Sequence, residues 1–327
     1  MSVLQSVSRR RALLALSALP LLAHGGLALA QSTPASGPLQ VLTSTTILRD
    51  WVQQVGGDAV AVQSLIGPDS DPHVFEPSPR DAQRVAQAQV LVLNGLGLEG
   101  WQQRLITSSH FQGHLIIASQ GVKALDGFEE AESHDDSDHA HDHGGKDPHY
   151  WQDPRQAMIA VRNITAGLSA ARPQQAAAFK ARAATYLAQL EKLDQAIRAR
   201  FNAIPAAQRR IVTSHDAFGY FGHNYGLSLI PLTGWTSASA ASAKTVARAV
   251  TQLRQRRARA LFLENISDPR LIDQIARESG VRVGGTLYSD ALSAPGSAAD
   301  SYLKMVASNA STLLAALETT PQPPIQP

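Results

Sequence analysis

"PQQAAAFKARAATYLAQLEKLDQAIRARF", residues 173–201, decides how this chain is organised. Ala, Leu, Lys and Glu recur at helical spacing, and Pro173 stands at the start, where a missing N–H does no harm. At 1.5 Å per residue a helix of roughly 28 residues is about 42 Å long, enough to run the height of a two-lobed protein. The helical character begins near Asp153 and runs to about Ala203, which predicts an unbroken helical block.

On either side the pattern alternates between strands and helices. Before the block, "LQVLTSTT" (39–46), "AVAVQSLIGP" (59–68), "VLVLNG" (90–95) and "HLIIASQG" (114–121) read as β, and "SPRDAQRVAQAQ" (78–89) as a helix opened by Ser and Pro. After it come "RIVTSHDAFGYFG" (210–222), "LSLIPLTG" (227–234), "RALFLEN" (259–265), "VRVGGTLYSDAL" (281–292) and a closing helix, 298–318. This is the grammar of parallel sheets. The expectation is an α/β protein of two lobes linked by one long rigid helix: 31–155 as the first lobe, 156–204 as the helical segment, and 205–327 as the second lobe.

Composition limits the chemistry. The 327 residues are 44% hydrophobic, enough for two domains with real cores, and the net charge of +2 is too small for a nucleic-acid surface. With no cysteine there is neither a disulfide framework nor a thiolate metal site, so any metal must sit on nitrogen and oxygen. At the N-terminus Arg9, Arg10 and Arg11 precede an apolar run that ends at Ala28-Leu29-Ala30, the pattern of an export signal cut before Gln31. His24, Gly25 and Gly26 break the run, which is too short to span a bilayer. Ser8 to Leu13 resembles a twin-arginine signal without the usual Phe, so the general secretory and twin-arginine routes both stay open. Without residues 1–30 the charge becomes 2 − 3 = −1. A mature chain lacking cysteine cannot be lipidated there, which points to a soluble periplasmic protein.

Eleven histidines provide the remaining signal, and five of them lie in residues 133–154. His73 sits between a strand and a Pro-started helix, His149 between two Asp-Pro turns, His215 where a strand gives way to a helix, and Asp290 past another strand end. Ligands of open α/β sheets bind outside the carboxyl ends of strands. Two candidates thus come from each lobe, and three imidazoles with one carboxylate make a closed tetrahedral set suited to zinc. Glu264, also at a strand end, competes with Asp290 for the fourth place. Asp147, Asp216 and Glu76 are candidates for orienting the rings.

Together these motifs resemble the periplasmic solute-binding proteins of zinc and manganese ABC transporters (cluster A-I, zinc-uptake type) over essentially the whole mature chain. The resemblance rests on "PDSDPHVFEPSPRD" (68–81), "NGLGLEGW" (94–101), an acidic histidine-rich insert followed by "DPHYWQDP" (147–154), "SHDAFGYFGHNYGL" (214–227) and "TLYSDALS" (286–293). It implies a metal held in the cleft between lobes by His73, His149, His215 and Asp290, and delivery to a membrane permease. Family members with glutamate as the third ligand are mainly manganese binders. This chain has His215 there, whereas an aspartate in the fourth place occurs with either metal. Nitrogen-rich sites favour zinc over manganese on general grounds as well, so Zn2+ is the expected cargo and Mn2+ the alternative.

The acidic, histidine-rich composition of residues 129–147 predicts a hydrated loop that packs no core, and His134, His139, His141 and His143 within it are candidate auxiliary metal ligands. His110, His114 and His223 read as surface or structural residues. Gly95-x-Gly97-x-x-Gly100 mimics a dinucleotide fingerprint, but the required acidic residue about 20 positions on is missing, and a glycine turn is the better reading. A zinc hydrolase would need an open coordination position and a general base, and no His-Glu-x-x-His helix is present. The expectation is a monomeric carrier that is not an enzyme and binds no nucleic acid.

Overall fold

Strand β3, Val90–Leu93, is buried along its whole length, as an apolar run in the middle of a parallel sheet must be. A computed structural model describes residues 37–127, 145–213, 215–231, 243–256, 260–318 and 322–327. The expected export segment and His134, His139, His141 and His143 lie outside these residues. The first sheet contains β1 (Leu39–Thr43), β2 (Val60–Ser64), β3 and β4 (His114–Ile117) in the order β2-β1-β3-β4. The second repeats the pattern with β5 (Arg210–Thr213), β6 (Ser228–Pro231), β7 (Leu261–Glu264) and β8 (Val283–Leu287), ordered β6-β5-β7-β8. All strand pairings within the two sheets are parallel. The order in which strands are added reverses between β1 and β3, and between β5 and β7, so a crevice opens at the carboxyl ends of these strands.

Local chemistry sets the helix starts. In α2 (Pro79–Gln87) the Ser78 hydroxyl accepts from the Asp81 N–H while Asp81 accepts from the Ser78 N–H, a reciprocal cap with Pro79 at the first helical position. Asp153 caps α4 (Pro154–Ala171) and Asp268 caps α8 (Pro269–Ser279) in the same Asp-Pro manner. The other helices of the first lobe are α1 (Thr46–Gly56) and α3 (Gln102–Ser109).

The helical block is not unbroken. It divides at Arg172–Gln175 into α4 and α5 (Ala176–Asn202), which pack against each other. Pro173 is the cause: it has no N–H for a helical bond and pushes the preceding residue out of the α region, and Arg172 sits at φ −141°, ψ 79°. The 27 residues of α5 still span about 40 Å.

Helix α5 belongs to both lobes. Phe179, Ala183, Tyr186, Leu190, Leu193, Ile197 and Phe201, spaced at three and four, form a buried stripe. That stripe lies in a single apolar cluster reaching from Trp51 in the first lobe to Phe262 in the second. Polar contacts fix both ends. Arg182 donates to the carbonyls of Val55 and Gly56 at the end of α1, at 2.8 Å each. Arg198 donates to the Asn224 carbonyl (2.8 Å) in α6 (Gly219–Tyr225), and Arg200 pairs with Glu318 (2.7 Å) just beyond α9 (Tyr302–Leu317). Helices α7 (Ala243–Arg256) and α8 cover the outer side of the second sheet with a separate small core. Among the described residues no helix is long and apolar enough to cross a membrane.

Leu190 is fully buried midway along α5. Leu190→Ala should therefore lower the unfolding free energy of the metal-free protein by about 2–5 kcal/mol in urea titrations. A loss below about 1 kcal/mol would mean that the two lobes do not share a core through α5.

Candidate metal centre

The four expected donors meet in one place. One ligand atom from each of His73, His149, His215 and Asp290 lies within 4.8 Å of all the others. His73 follows β2 and precedes α2; His149 opens a short turn that leads to α4; His215 follows β5; Asp290 lies three residues beyond β8. His149, His215 and Asp290 are buried, and the His73 side chain is only 3% exposed.

The distances have the scale of a metal polyhedron. His73 Nε2 is 3.1 Å from His149 Nε2 and 3.4 Å from Asp290 Oδ2, and His215 Nε2 is 3.2 Å from Asp290 Oδ2. His149 Nε2 lies 3.6 Å from Asp290 Oδ1. A tetrahedron with arms near 2.0–2.1 Å has edges of roughly 3.3–3.4 Å. His215 Nε2 and both Asp290 oxygens are buried, and the only polar groups facing them are one another and the other two rings, an arrangement that a cation among them would satisfy.

Two rings are held from behind. His149 Nδ1 is 2.7 Å from Asp147 Oδ1, which also accepts the His149 N–H at 2.8 Å. His215 Nδ1 is 2.5 Å from Glu264 Oε2, and Glu264 Oε1 accepts the His215 N–H at 3.1 Å. Glu264 is thus placed behind His215, and the face of that ring toward the other donors is left to Asp290. A carboxylate on the far nitrogen fixes the tautomer and directs Nε2 toward the centre. Of the other two candidates for this task, Asp216 is close enough to feel His149 and His215, while Glu76 is exposed and bonds to none of the four.

The electrostatics follow from this packing. Burial works against the His215 imidazolium, but Glu264 and Asp290 outweigh it and hold the pKa well above the ordinary value. His149 is raised for a similar reason, burial being overcome by Asp290 and Asp147. His73 is lowered, chiefly by burial. Burial also opposes the Asp290 carboxylate, yet His215 and His149 keep it well below its usual range.

Further contacts bind the loops together. Trp151 Nε1 and Gln152 Nε2 both donate to the Ser289 carbonyl at 2.7 Å, fastening the segment after His149 to the one before Asp290. Asp147 N–H donates to Leu125 O at 3.0 Å and Gly127 N–H to Gly145 O at 3.1 Å, so the chain leaves for residues 128–144 and returns at one point beside His149. The glycine motif is structural. Gly95 has φ 83°, and a Cβ there would lie 2.4 Å from Ser119 Oγ. The buried Glu99 carboxylate closes the turn by accepting from Ser44 Oγ (2.6 Å) and from the N–H groups of Asn94 (2.7 Å) and Gly95 (3.0 Å). Asn94 Nδ2 donates to Pro148 O at 3.2 Å, so this turn supports the His149 segment. His110, His114 and His223 are exposed and lie outside the cluster. Beside His73 a groove of about 980 Å³ is lined by Phe75, Trp101 and Arg104.

The family profile described as the zinc-uptake complex component A, periplasmic, matches residues 41–316. The manganese-binding lipoprotein MntA of Bacillus subtilis (strain 168) is 33% identical over 291 residues, 87% of this chain and 91% of that protein. The zinc-binding protein TroA of Treponema pallidum (strain Nichols) is 30% identical over 290 residues, 86% and 90% of the two chains. The solved structure of the periplasmic zinc-binding protein TroA from Treponema pallidum superposes with a TM-score of 0.77 at 28% identity, covering 86% of this chain and 99% of that one. Relatives named for zinc and for manganese are thus about equally similar.

In the metal-free protein His215 should remain protonated at neutral pH when followed by NMR. Glu264→Gln should move its titration downward, because the main opposing charge is removed while burial stays. An unmoved titration would contradict the pairing.

Proposed function

Because the chain belongs to the family of periplasmic zinc-uptake components, the solute-binding proteins of metal ABC importers, we propose that its cargo is Zn2+, held by His73, His149, His215 and Asp290. The observation that carries this reading is the convergence of three imidazole nitrogens and one carboxylate at tetrahedral spacing. Family likeness does not choose the metal, since relatives are named for zinc and for manganese. The donors do. Zinc stands well above manganese for nitrogen-rich sites, and manganese prefers oxygen. Mn2+ is the second reading, favoured only by the names of relatives.

The protein works in the periplasm as a soluble carrier after removal of residues 1–30, by either export route. Several relatives are named lipoproteins, whereas this sequence has no cysteine to carry a lipid. It delivers the ion to the membrane permease of the importer and catalyses no reaction, because four protein donors close the site against a reacting water. Its exposed large hydrophobic residues among those described, Val74, Leu115 and Val283, are few, which fits a monomer. Helix α5 resists wide hinge motion, so release comes from modest movement concentrated in the ligand loops. His134, His139, His141 and His143 collect zinc weakly ahead of the cleft.

The test is competition between chelator-stripped protein and a coloured chelator. One tight zinc site is expected, with manganese far weaker. Loss of any ligand should weaken zinc by at least about 100-fold, since altering even a group behind a ligand costs 10–100-fold. Binding requires neutral rings. The raised pKa values of His149 and His215 mean that protons compete from above the usual histidine range, so affinity should fall steadily from pH 8 to pH 6. Comparable manganese affinity would move the cargo assignment to manganese, and binding that survives His73→Ala, His149→Ala and His215→Ala would overturn the site.

A further inference from the structure

Asp69 lies four residues before His73 and has φ 50°, in the left-handed region that non-glycine residues seldom occupy. Asp tolerates this conformation better than most, but it persists only where its surroundings hold it. Here the surroundings are in the other lobe. Asp69 Oδ1 accepts from Asn265 Nδ2 at 2.8 Å and from Ser293 Oγ, and the Asp69 N–H donates to Leu292 O at 3.0 Å. The Leu292 N–H returns across the gap to Thr46 Oγ1 at 2.9 Å.

These partners lie close in sequence to Asp290 and to Glu264, the carboxylate behind His215. Ser293 and Leu292 continue the segment of Asp290. Asn265 follows Glu264, the group behind His215, and grips the Asp290 segment twice: Nδ2 donates to Ala291 O at 3.1 Å and Oδ1 accepts the Ser289 N–H at 3.2 Å. One exposed carboxylate therefore ties the His73 loop to the segment of Asp290 and to the residue that follows Glu264, the carboxylate behind His215.

We propose that Asp69 is a positioning residue, an inter-lobe clasp that sets how long the metal stays bound by holding the His73 loop against the other three donors. This rests on the reading that those four residues hold the metal. Hydrogen bonds open to water are individually weak, so the clasp can part without unfolding either lobe. Opening it frees the loop of the one ligand that borders the surface groove.

The test uses the full mature chain loaded with zinc and a stopped-flow chase into excess chelator. Asp69→Gly accepts the backbone conformation but lacks the acceptor, and zinc should leave it about tenfold faster, the combined effect of losing two exposed hydrogen bonds, from Asn265 and Ser293. Its metal-free melting temperature should stay within about 2 °C of the parent. Asp69→Asn keeps an acceptor and tolerates the same φ, and should restore the rate to within about twofold. Adding Ser293→Ala to Asp69→Gly should change nothing further, since both remove one contact. An unchanged rate in Asp69→Gly, equal loss in the Gly and Asn variants, or a rate change that merely follows a fall in melting temperature would overturn the clasp. Undiminished zinc binding by His73→Ala would instead strike at the ligand assignment itself.

Discussion

The Asp290 carboxylate is buried and faces three imidazole rings, and the rest of the site is arranged around that charge. An isolated carboxylate in such a place would be prohibitively unstable. The raised pKa values of His215 and His149 favour protons there as the opposing charge. On the proposed reading a bound divalent cation would supply it instead and displace those protons, so that proton and metal act as alternative counter-ions for one buried anion. The carboxylates of Asp147 and Glu264 behind the rings keep the nitrogens aimed in either state, so little of the geometry has to be rebuilt when cargo arrives.

That convergence requires the two lobes to hold a fixed spacing. The stripe of α5 from Phe179 to Phe201 lies in one apolar cluster with both sheets, and its arginines reach the carbonyl ends of α1 and α6. A hinge at the centre of such a helix would expose a core that both lobes share. On the proposed carrier reading, motion is left to the loops beyond the strand ends, which carry His73, His149, His215 and Asp290. The same division appears in the bonds that bridge the lobes. Those from Trp151 and Gln152 to Ser289 are buried, while those of Asp69 are open to water.

Most of the architecture was legible in the sequence because apolar runs and Ser-Pro or Asp-Pro caps mark the strand and helix ends. Pro173 also shows why one expectation failed: the rule that a proline disturbs the residue before it applies as much to Arg172 as the start signal applies to α5. The four candidate donors that converge were legible because each stands in a loop beyond a strand end or between turns. The choice between Glu264 and Asp290 was not. Glu264 ends β7 and Asp290 follows the adjacent β8, and only their placement shows one carboxylate behind the His215 ring and the other in front of it. Asp69 was invisible as well, since neither its positive φ nor its partners some 200 positions away leave a mark on local sequence.

X-ray absorption at the zinc edge of the loaded protein tests the central claim most directly. The account predicts about four nitrogen and oxygen neighbours near 2.0–2.1 Å, with the multiple-scattering signature of three imidazoles. Six light-atom neighbours, or a signature of one imidazole or none, would contradict it.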